Sequence, residues 1–189
     1  TYGTIVAGGN GGGNAANQLS APWQTTIDGS GNFYVTDRQN DRIQKFPSNS
    51  TSSTNGTTYA GRGVSGSALN ELNDPRGIAI DNSGRIYVTE SGNYRVMRFP
   101  SNSSGGTNGT IVAGGNGYGS ASNQLKAPLG IAIDSEGNIY VAENDDHKIM
   151  KFPSNSTSST NGVVVAGGNG SGSATNQFNR PTDIAFDNS

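Results

Sequence analysis

The strongest constraint on the fold is an internal repeat of 53 residues. Similar blocks open with prolines spaced 53 residues apart, at Pro22, Pro75, Pro128 and Pro181. The blocks that begin at Pro75 and Pro128 are identical at more than half of their positions. Repeats of this length bury their hydrophobic faces by stacking on one another. We therefore treat residues 1–189 as one repeat segment, with complete units at 22–74, 75–127 and 128–180 and partial units at 1–21 and 181–189.

Each unit contains four short strand patterns separated by turn residues. In the second unit the strands are predicted at 77–81, 85–89, 95–99 and 110–113, each near the usual strand length. The run Asp81-Asn82-Ser83-Gly84 predicts a tight hairpin between the first two strands. Pro100 ends the third strand because proline has no N–H for the ladder. The sequence thus predicts an all-β fold of four-stranded antiparallel sheets, with almost no helix.

A Gly-rich connection leads from the fourth strand of each unit to the next proline. It carries one apolar residue at a fixed place, which we interpret as a plug between neighbouring sheets: Leu19, Leu72, Leu125 and Phe178. Only 31% of the residues are hydrophobic, which suits many short strands joined by polar turns. A four-stranded unit repeated with a long crossover is typical of a β-propeller.

The repeat resembles the NHL repeat family through the motifs PxGIAID and GxIYVxE and through a basic residue followed by an aliphatic one in the third strand. The basic-then-aliphatic pair of the third strand occurs three times, as Arg42-Ile43, Arg95-Val96 and Lys148-Ile149. The resemblance covers essentially the whole chain. It implies a β-propeller of NHL-like blades, with the GIAID strand nearest the central channel and the VVVAGG strand outermost. The polar segment between the third and fourth strands is longer than in a typical NHL blade, so we expect it to protrude at the outer edge.

The resemblance also implies a ring of five or six blades, whereas this chain supplies three complete blades plus partial end blades. Its first 30 residues are in phase with residues 160–189. We therefore predict an outermost strand at 4–7 and an innermost strand at 183–187, each lacking covalent blade partners. Uncovered strands are prone to association. The expected partners are further blades of a longer chain or other copies of this chain, in a head-to-tail filament or a larger ring.

Charge and composition exclude some classes of function. Twelve Lys and Arg residues against fourteen Asp and Glu residues give a net charge of −2, so nucleic acid is not an expected partner. The chain has no Cys, which excludes disulfides and thiolate metal sites. No stretch resembles a transmembrane span, so membrane insertion is not expected. No motif indicates a cofactor: the GGNGYG and GGNGSG runs lack the Lys of a phosphate-binding loop.

His147 is the one histidine of the chain, at a place held by Asp41 and Tyr94 in the other units. Propeller enzymes that this family resembles, such as peptidyl-hydroxyglycine lyases and virginiamycin-type lyases, rely on His or His-bound metal for acid/base chemistry. One histidine in a variable loop is a weak substitute for such a site. We therefore interpret His147 as a solvated loop residue and predict no catalytic residue in this chain.

Two sets of carboxylates recur with the repeat. Asp28, Asp81, Asp134 and Asp187 end the first strand, and Asp37, Glu90 and Glu143 follow the second. One interpretation is a ring of Ca²⁺ ligands at the channel mouth. The other is structural: the first set caps a hairpin, and the second set pairs with Arg42, Arg95 and Lys148. We favour the structural interpretation and predict no metal site.

Trp23 departs from the GIAI-type entry to the first strand that is seen elsewhere at Arg76-Gly77 and Leu129-Gly130. It is a candidate contact for a sugar or protein ligand, and the alternative is that it fills a gap between blades. Six N-x-Ser/Thr sequons are glycosylation candidates: Asn49, Asn55, Asn102, Asn108, Asn155 and Asn169. The first five lie in the polar loops at 47–57, 100–110 and 153–162, where a glycan meets no packing obstacle.

These observations favour a non-enzymatic scaffold, extracellular or at the cell surface, that binds protein, glycan or copies of itself. Catalysis needs different groups converging on one point, whereas duplicated blades present the same groups repeatedly. An array suits multivalent binding or regular stacking. The alternative is a lyase or lactonase-like propeller enzyme whose catalytic residues lie in blades outside this chain. An RNA-binding NHL domain would need a basic face that this charge balance does not supply.

Overall fold

The computed structural model describes residues 3–187, which contain three four-stranded antiparallel sheets. The first sheet comprises β1 Pro22–Ile27, β2 Phe33–Asp37, β3 Arg42–Phe46 and β4 Thr57–Gly61. The second comprises β5 Pro75–Ile80, β6 Ile86–Glu90, β7 Arg95–Phe99 and β8 Thr110–Gly114. The third comprises β9 Pro128–Ile133, β10 Ile139–Glu143, β11 Lys148–Phe152 and β12 Val163–Gly167. We call these sheets the first, second and third blades.

The predicted all-β fold of four-stranded antiparallel blades is confirmed. Within each blade the strands pair in sequence order, and the edge strands are β1 and β4 or their equivalents. In the part of the chain that the structure describes, the blades do not close into a ring. The helical content of residues 3–187 is one 3₁₀ turn at Arg38–Asn40.

The first strand of the second blade begins two residues earlier than predicted, and its second strand ends one residue later. The early start includes a bulge between Pro75 and Ile78. There the Gly77 N–H donates to Thr89 Oγ1 at 2.7 Å, and that hydroxyl donates to the Leu129 carbonyl at 2.5 Å. A Cβ on residue 77 would lie 2.2 Å from the same carbonyl oxygen. The neighbouring blade thus requires glycine here because its backbone approaches so closely.

The two predicted end strands are not formed. Neither 4–7 nor 183–187 is a strand, because no other strand is hydrogen-bonded to either segment. Both segments instead lie against the blades through side-chain contacts, among them a bond from Gln24 Nε2 to Asp183 Oδ1 at 2.9 Å. Ser50 Oγ donates to the Val6 carbonyl at 2.6 Å, and the Phe186 ring meets the Tyr140 ring edge-on at 4.9 Å between centroids. Ile184, within the predicted innermost strand, is only partly buried.

The hydrophobic core lies between successive blades. One cluster joins the first and second blades, and a second cluster joins the second and third. Leu72 is fully buried in the first cluster and Leu125 in the second, so the predicted plug is confirmed at both positions. The equivalent residues at the ends behave differently: Leu19 is partly buried, and Phe178 is 38% exposed. A plug is therefore buried only where blades lie on both sides of it.

The polar loops between third and fourth strands are largely exposed, as predicted, but they do not simply protrude. Each loop contains a serine whose hydroxyl bonds to a carbonyl 44 residues earlier, in the preceding repeat. The Ser103 hydroxyl donates to the Tyr59 backbone carbonyl at 2.8 Å, and the Ser156 hydroxyl donates to the Val112 carbonyl at 2.6 Å. Ser50 and Ser156 are buried by this contact. The loops therefore link each blade to the one before it.

Candidate functional sites

A buried ion pair joins the second and third strands of every blade. In the second blade, Arg95 Nε donates to Glu90 Oε2 at 2.5 Å, and the Glu90 side chain is fully buried. The Asn93 amide and the Asn73 N–H also donate to Glu90, at 2.7 and 2.9 Å. Arg42 pairs with Asp37 at 2.7 Å in the first blade, and Lys148 pairs with Glu143 at 3.2 Å in the third. The predicted pairing of these residues is confirmed.

The arginine of this pair also holds the Gly-rich connection, a role that the sequence analysis missed. Arg95 donates through its Nη atoms to the carbonyls of Ser67, Ala68 and Glu71, at 2.7 to 3.2 Å. Arg42 makes the same three bonds to Asn14, Ala15 and Gln18. The planar guanidinium suits this task because its five N–H groups point in fixed directions. The charged residues therefore fasten the crossover to the blade that follows it.

The third blade departs from this arrangement. Lys148 replaces the arginine and Asp146 replaces the asparagine, so Lys148 Nζ contacts Asp146 at 3.0 Å as well as Glu143. No hydrogen bond of good geometry reaches either carboxylate oxygen of Glu143 from residues 3–187. Burial raises the pKa of Glu143 to about 7, against the lowering effect of Lys148. Glu143 is thus a buried carboxyl group that titrates near neutral pH.

The first set of carboxylates caps the hairpins, as the structural interpretation predicted. Asp81 Oδ1 accepts the N–H groups of Ser83 and Arg85, and its Oδ2 accepts the Arg85 Nε and the Tyr87 hydroxyl. Burial alone would raise the pKa of Asp81, but the bonds from Arg85 and Ser83 lower it below the usual range. Asp28 and Asp134 accept equivalent bonds. Asp187, the fourth member, lies beyond the three hairpins.

His147 lies at the turn between β10 and β11 in a left-handed conformation, with φ 55°. Its Nδ1 accepts the backbone N–H of Arg180 at 3.0 Å. Two repeat units earlier, Asp41 Oδ1 accepts the backbone N–H of Asp74 at 2.9 Å. His147 is therefore a turn residue that fixes the following connection, in contrast to our interpretation of it as a purely solvated side chain.

Trp23 is 46% exposed on β1, and it covers a charged cluster. The Arg76 guanidinium lies 4.5 Å from the centroid of the Trp23 ring, a cation–π distance. Asp74 accepts bonds from both Arg76 and Arg38. Burial would raise the pKa of Asp74, but the two arginines together lower it. The Trp23 ring thus packs on Arg76 of the next blade, as the gap-filling alternative predicts, and its role as a ligand contact stays a prediction.

The six sequon asparagines are all exposed. Five of them lie in the polar loops, and Asn169 lies in the connection after β12. Asn169 differs because its Nδ2 donates to the Asn176 carbonyl at 2.9 Å and to the Gly167 carbonyl at 3.3 Å. Nδ2 is the atom that carries an N-linked glycan, so modification at Asn169 would disturb both bonds.

We expect native chain from a glycosylating source to carry glycans at Asn49, Asn102 and Asn155 and to leave Asn169 unmodified. The first three are exposed at equivalent places, where a glycan has free access to solvent. Peptide mapping by mass spectrometry, before and after enzymatic deglycosylation, measures the occupancy of each site. The glycoprotein hypothesis is wrong if all three asparagines are unmodified.

Across residues 3–187 no three His, Cys, Asp or Glu side chains come close enough together to bind a metal ion. The same residues include no helix with the length and apolar character needed to cross a membrane.

Comparison with known proteins gives a family match inside the repeat. The NHL repeat model matches residues 72–99 and 125–152. These segments each run from the plug leucine through the first three strands of a blade. A comparison with curated proteins finds no match.

Solved structures share the fold at low sequence identity. A protein from Bacteroides thetaiotaomicron of unknown function has a TM-score of 0.65 at 16% identity, covering 89% of this chain and 44% of its own. A nidogen/laminin complex matches with a TM-score of 0.58 at 22% identity, covering 79% and 49%. Virginiamycin B lyase from Staphylococcus aureus matches with a TM-score of 0.53 at 17% identity, covering 76% and 42%. The chain thus spans less than half the length of each of these structures.

The three sheets, with their buried plugs and repeated ion pairs, define a repeat protein built of β-propeller blades. Two of its segments, in the second and third blades, match the NHL repeat, which is consistent with an NHL-repeat β-propeller family.

Proposed function

We propose that the chain is a non-enzymatic scaffold, extracellular or at the cell surface, that binds copies of itself and protein or glycan ligands. The observation that carries this proposal is the structural use of its repeated charged residues. The pairs Asp37–Arg42 and Glu90–Arg95 are buried and bond to the backbone of their own connections. Groups held in this way are not free to act on a substrate.

The remaining candidates for chemistry are also engaged. His147 accepts a backbone N–H, and the side chains of Asp28, Asp81 and Asp134 each accept four hydrogen bonds. General acid/base or nucleophilic catalysis needs at least two different groups that face one reacting atom. The described residues repeat one set of groups around the blades, which suits repeated contacts with a partner.

We expect purified chain to have a mass in solution above that of a single 19.4 kDa copy and to show no turnover. Light scattering coupled to size exclusion, at several concentrations, measures the mass. Activity assays with lactones, cyclic depsipeptides and peptidyl-hydroxyglycine test the enzyme alternative. His147→Ala is the matched variant. Turnover by the wild type that this variant loses would overturn the proposal, and a stable monomer at every concentration would overturn self-binding.

A further inference from the structure

The third blade contains a buried cluster of three ionisable side chains at one end of the hairpin formed by β10 and β11. Glu143 and Lys148 are register partners across the hairpin, and Asp146 lies in the turn between them. Lys148 Nζ is 3.2 Å from Glu143 Oε2 and 3.0 Å from Asp146 Oδ2. The side chain of Glu143 is fully buried, that of Lys148 is 8% exposed and that of Asp146 is 11% exposed. One amine and two carboxyl groups therefore meet where water has little access.

This cluster lies at the junction of the second and third blades, both of which are complete. The connection between these blades contacts it directly. Lys126 Nζ is 2.9 Å from Asp146 Oδ1, and Ser120 Oγ donates to the same oxygen at 3.0 Å. The surroundings of the cluster are thus formed by two blades and the segment that joins them.

The equivalent place in the second blade holds groups that are fully hydrogen-bonded and unreactive. Glu90 accepts hydrogen bonds from three donors, Arg95 among them. In the described part of the chain, no hydrogen bond of good geometry reaches either carboxylate oxygen of Glu143 or Oδ2 of Asp146. A guanidinium keeps its proton in proteins, whereas a lysine amine becomes a nucleophile once its proton is lost. Only the third blade therefore places a potential nucleophile beside a carboxyl group that is not otherwise engaged.

The proton of this buried pair can lie on either partner. Burial raises the pKa of Glu143 to about 7, with Lys148 and Lys126 opposing the rise and Asp146 reinforcing it. A proton shift from Lys148 Nζ to Glu143 Oε2 converts the ion pair into a neutral amine beside a neutral carboxylic acid. Surroundings of low polarity favour the neutral forms. An amine and a carboxylic acid held in contact are the reactants for an amide bond.

We propose that Lys148 Nζ and Glu143 Cδ form an intramolecular amide bond that links β10 to β11, with Asp146 as the catalytic base. The Nζ lone pair attacks Cδ, and Asp146 Oδ2 accepts a proton from the nitrogen. That proton then passes to the departing hydroxyl group, the Cδ–O bond breaks and water leaves. One ammonium and one carboxylate thus become one amide and one water molecule, with no other reactant.

The fold favours this reaction in three ways. The strand register holds the two side chains together, which replaces a bimolecular encounter by an intramolecular one. Burial excludes the water that reverses the reaction. The amide product is neutral, so the cost of burying two charges disappears. The chain has no Cys, and the amide provides a covalent link without a disulfide. The pH dependence of stability that the Glu143 carboxyl confers belongs to chain in which the bond has not formed.

Intact-mass spectrometry tests whether the bond forms. We expect folded chain, kept slightly above neutral pH, to accumulate a species lighter than its sequence mass by one water molecule. Lys148→Arg is the matched control, because it gives the third blade the arginine of the other two blades and removes the nucleophile. This variant is expected to keep its sequence mass. If wild-type chain with a β-type circular dichroism spectrum also keeps its sequence mass, or if both chains lose water equally, the inference is wrong.

Tryptic digestion with tandem mass spectrometry tests where the bond lies. Trypsin cuts unlinked chain after Lys126, Lys148 and Lys151, but an amide at Lys148 blocks the second cut. We therefore expect a peptide 127–151, lighter by one water molecule, that gives no backbone fragments from within 143–148. Fragments that separate residues 143 and 146 would assign the bond to Asp146. Water loss with normal cleavage after Lys148 would assign the change to another site. Either result would overturn the proposal.

Asp146→Asn tests the assigned base while keeping the amine and its acceptor. A positioned general base contributes about 10²–10⁴-fold to a rate, so we expect the variant to lose water about 100-fold more slowly or less. The wild-type rate should rise as the pH passes through about 7, because the reactive pair shares one proton and Glu143 and Lys148 together hold two below that pH. Water loss by Asp146→Asn at the wild-type rate would show that Asp146 is not the base.

Discussion

Arg95→Ala is expected to lower the free energy of unfolding by about 3–5 kcal/mol, because it leaves the Glu90 carboxylate buried without its charged partner. Glu90 is fully buried, and Arg95 Nε is 2.5 Å from its Oε2. The substitution also removes the three bonds that fasten the connection at Ser67, Ala68 and Glu71. Urea denaturation followed by fluorescence measures the loss.

Two comparison variants locate the source of this effect. Arg38→Ala removes an arginine whose side chain is about one-third exposed and whose partner Asp74 keeps Arg76, so a loss below about 1 kcal/mol is expected. Glu90→Gln/Arg95→Met removes both charges and should be less destabilising than Arg95→Ala alone. If Arg95→Ala costs no more than Arg38→Ala, the buried pair does not have the role that its geometry indicates.

The repeat and its turn chemistry were sufficient to predict the blades. Strand order, the hairpin caps at Asp28, Asp81 and Asp134, and the pairing of Glu90 with Arg95 depend on residues within one 53-residue unit. Contacts of this kind recur wherever the unit recurs, so the three complete units each display them in the sequence. The interior plugs Leu72 and Leu125 were predictable for the same reason.

Contacts between units were harder to predict because they often involve backbone atoms. The arginine clamp binds carbonyls, and the loop serines bind a carbonyl 44 residues earlier, so no side-chain pattern marks the partner. The signal that was present is the arginine itself, since Arg42 and Arg95 recur at the same distance, 28 residues, after the connections that they hold. The prediction of strands at 4–7 and 183–187 was wrong for a related reason. A strand pattern at 183–187 specifies a strand only when a neighbouring strand supplies its hydrogen bonds.

The third blade shows how a small departure from the repeat changes the chemistry of a buried group. Where the second blade has arginine and asparagine around Glu90, the third has Lys148 and Asp146 around Glu143. Lysine supplies a point charge without the guanidinium geometry, and the exchange of asparagine for aspartate adds a second negative charge. The side chains of Glu143 and Glu90 are equally buried. Glu143 has fewer hydrogen bonds because of these two replacements.

We expect the stability of the chain to fall as the pH rises from about 5 to about 8, and Glu143→Gln to remove much of that fall. The pKa of Glu143 is raised from its usual 4.5 to about 7 by burial, with Lys148 opposing and Asp146 reinforcing the rise. The folded state therefore keeps a proton that the unfolded state has lost, and this advantage disappears above the folded pKa. A shift of this size corresponds to at most about 3 kcal/mol.

The difference between wild type and variant is the quantity to measure, by urea denaturation at several pH values, since burial also raises the pKa of Glu90. Lys148→Arg/Asp146→Asn provides a second variant, which recreates the surroundings of Glu90 while keeping the carboxyl group. In that variant the guanidinium and the amide should hydrogen-bond Glu143, lower its pKa and flatten the pH dependence. Parallel pH curves for wild type and Glu143→Gln would show that Glu143 is ionised throughout and that Lys148 alone compensates for its burial.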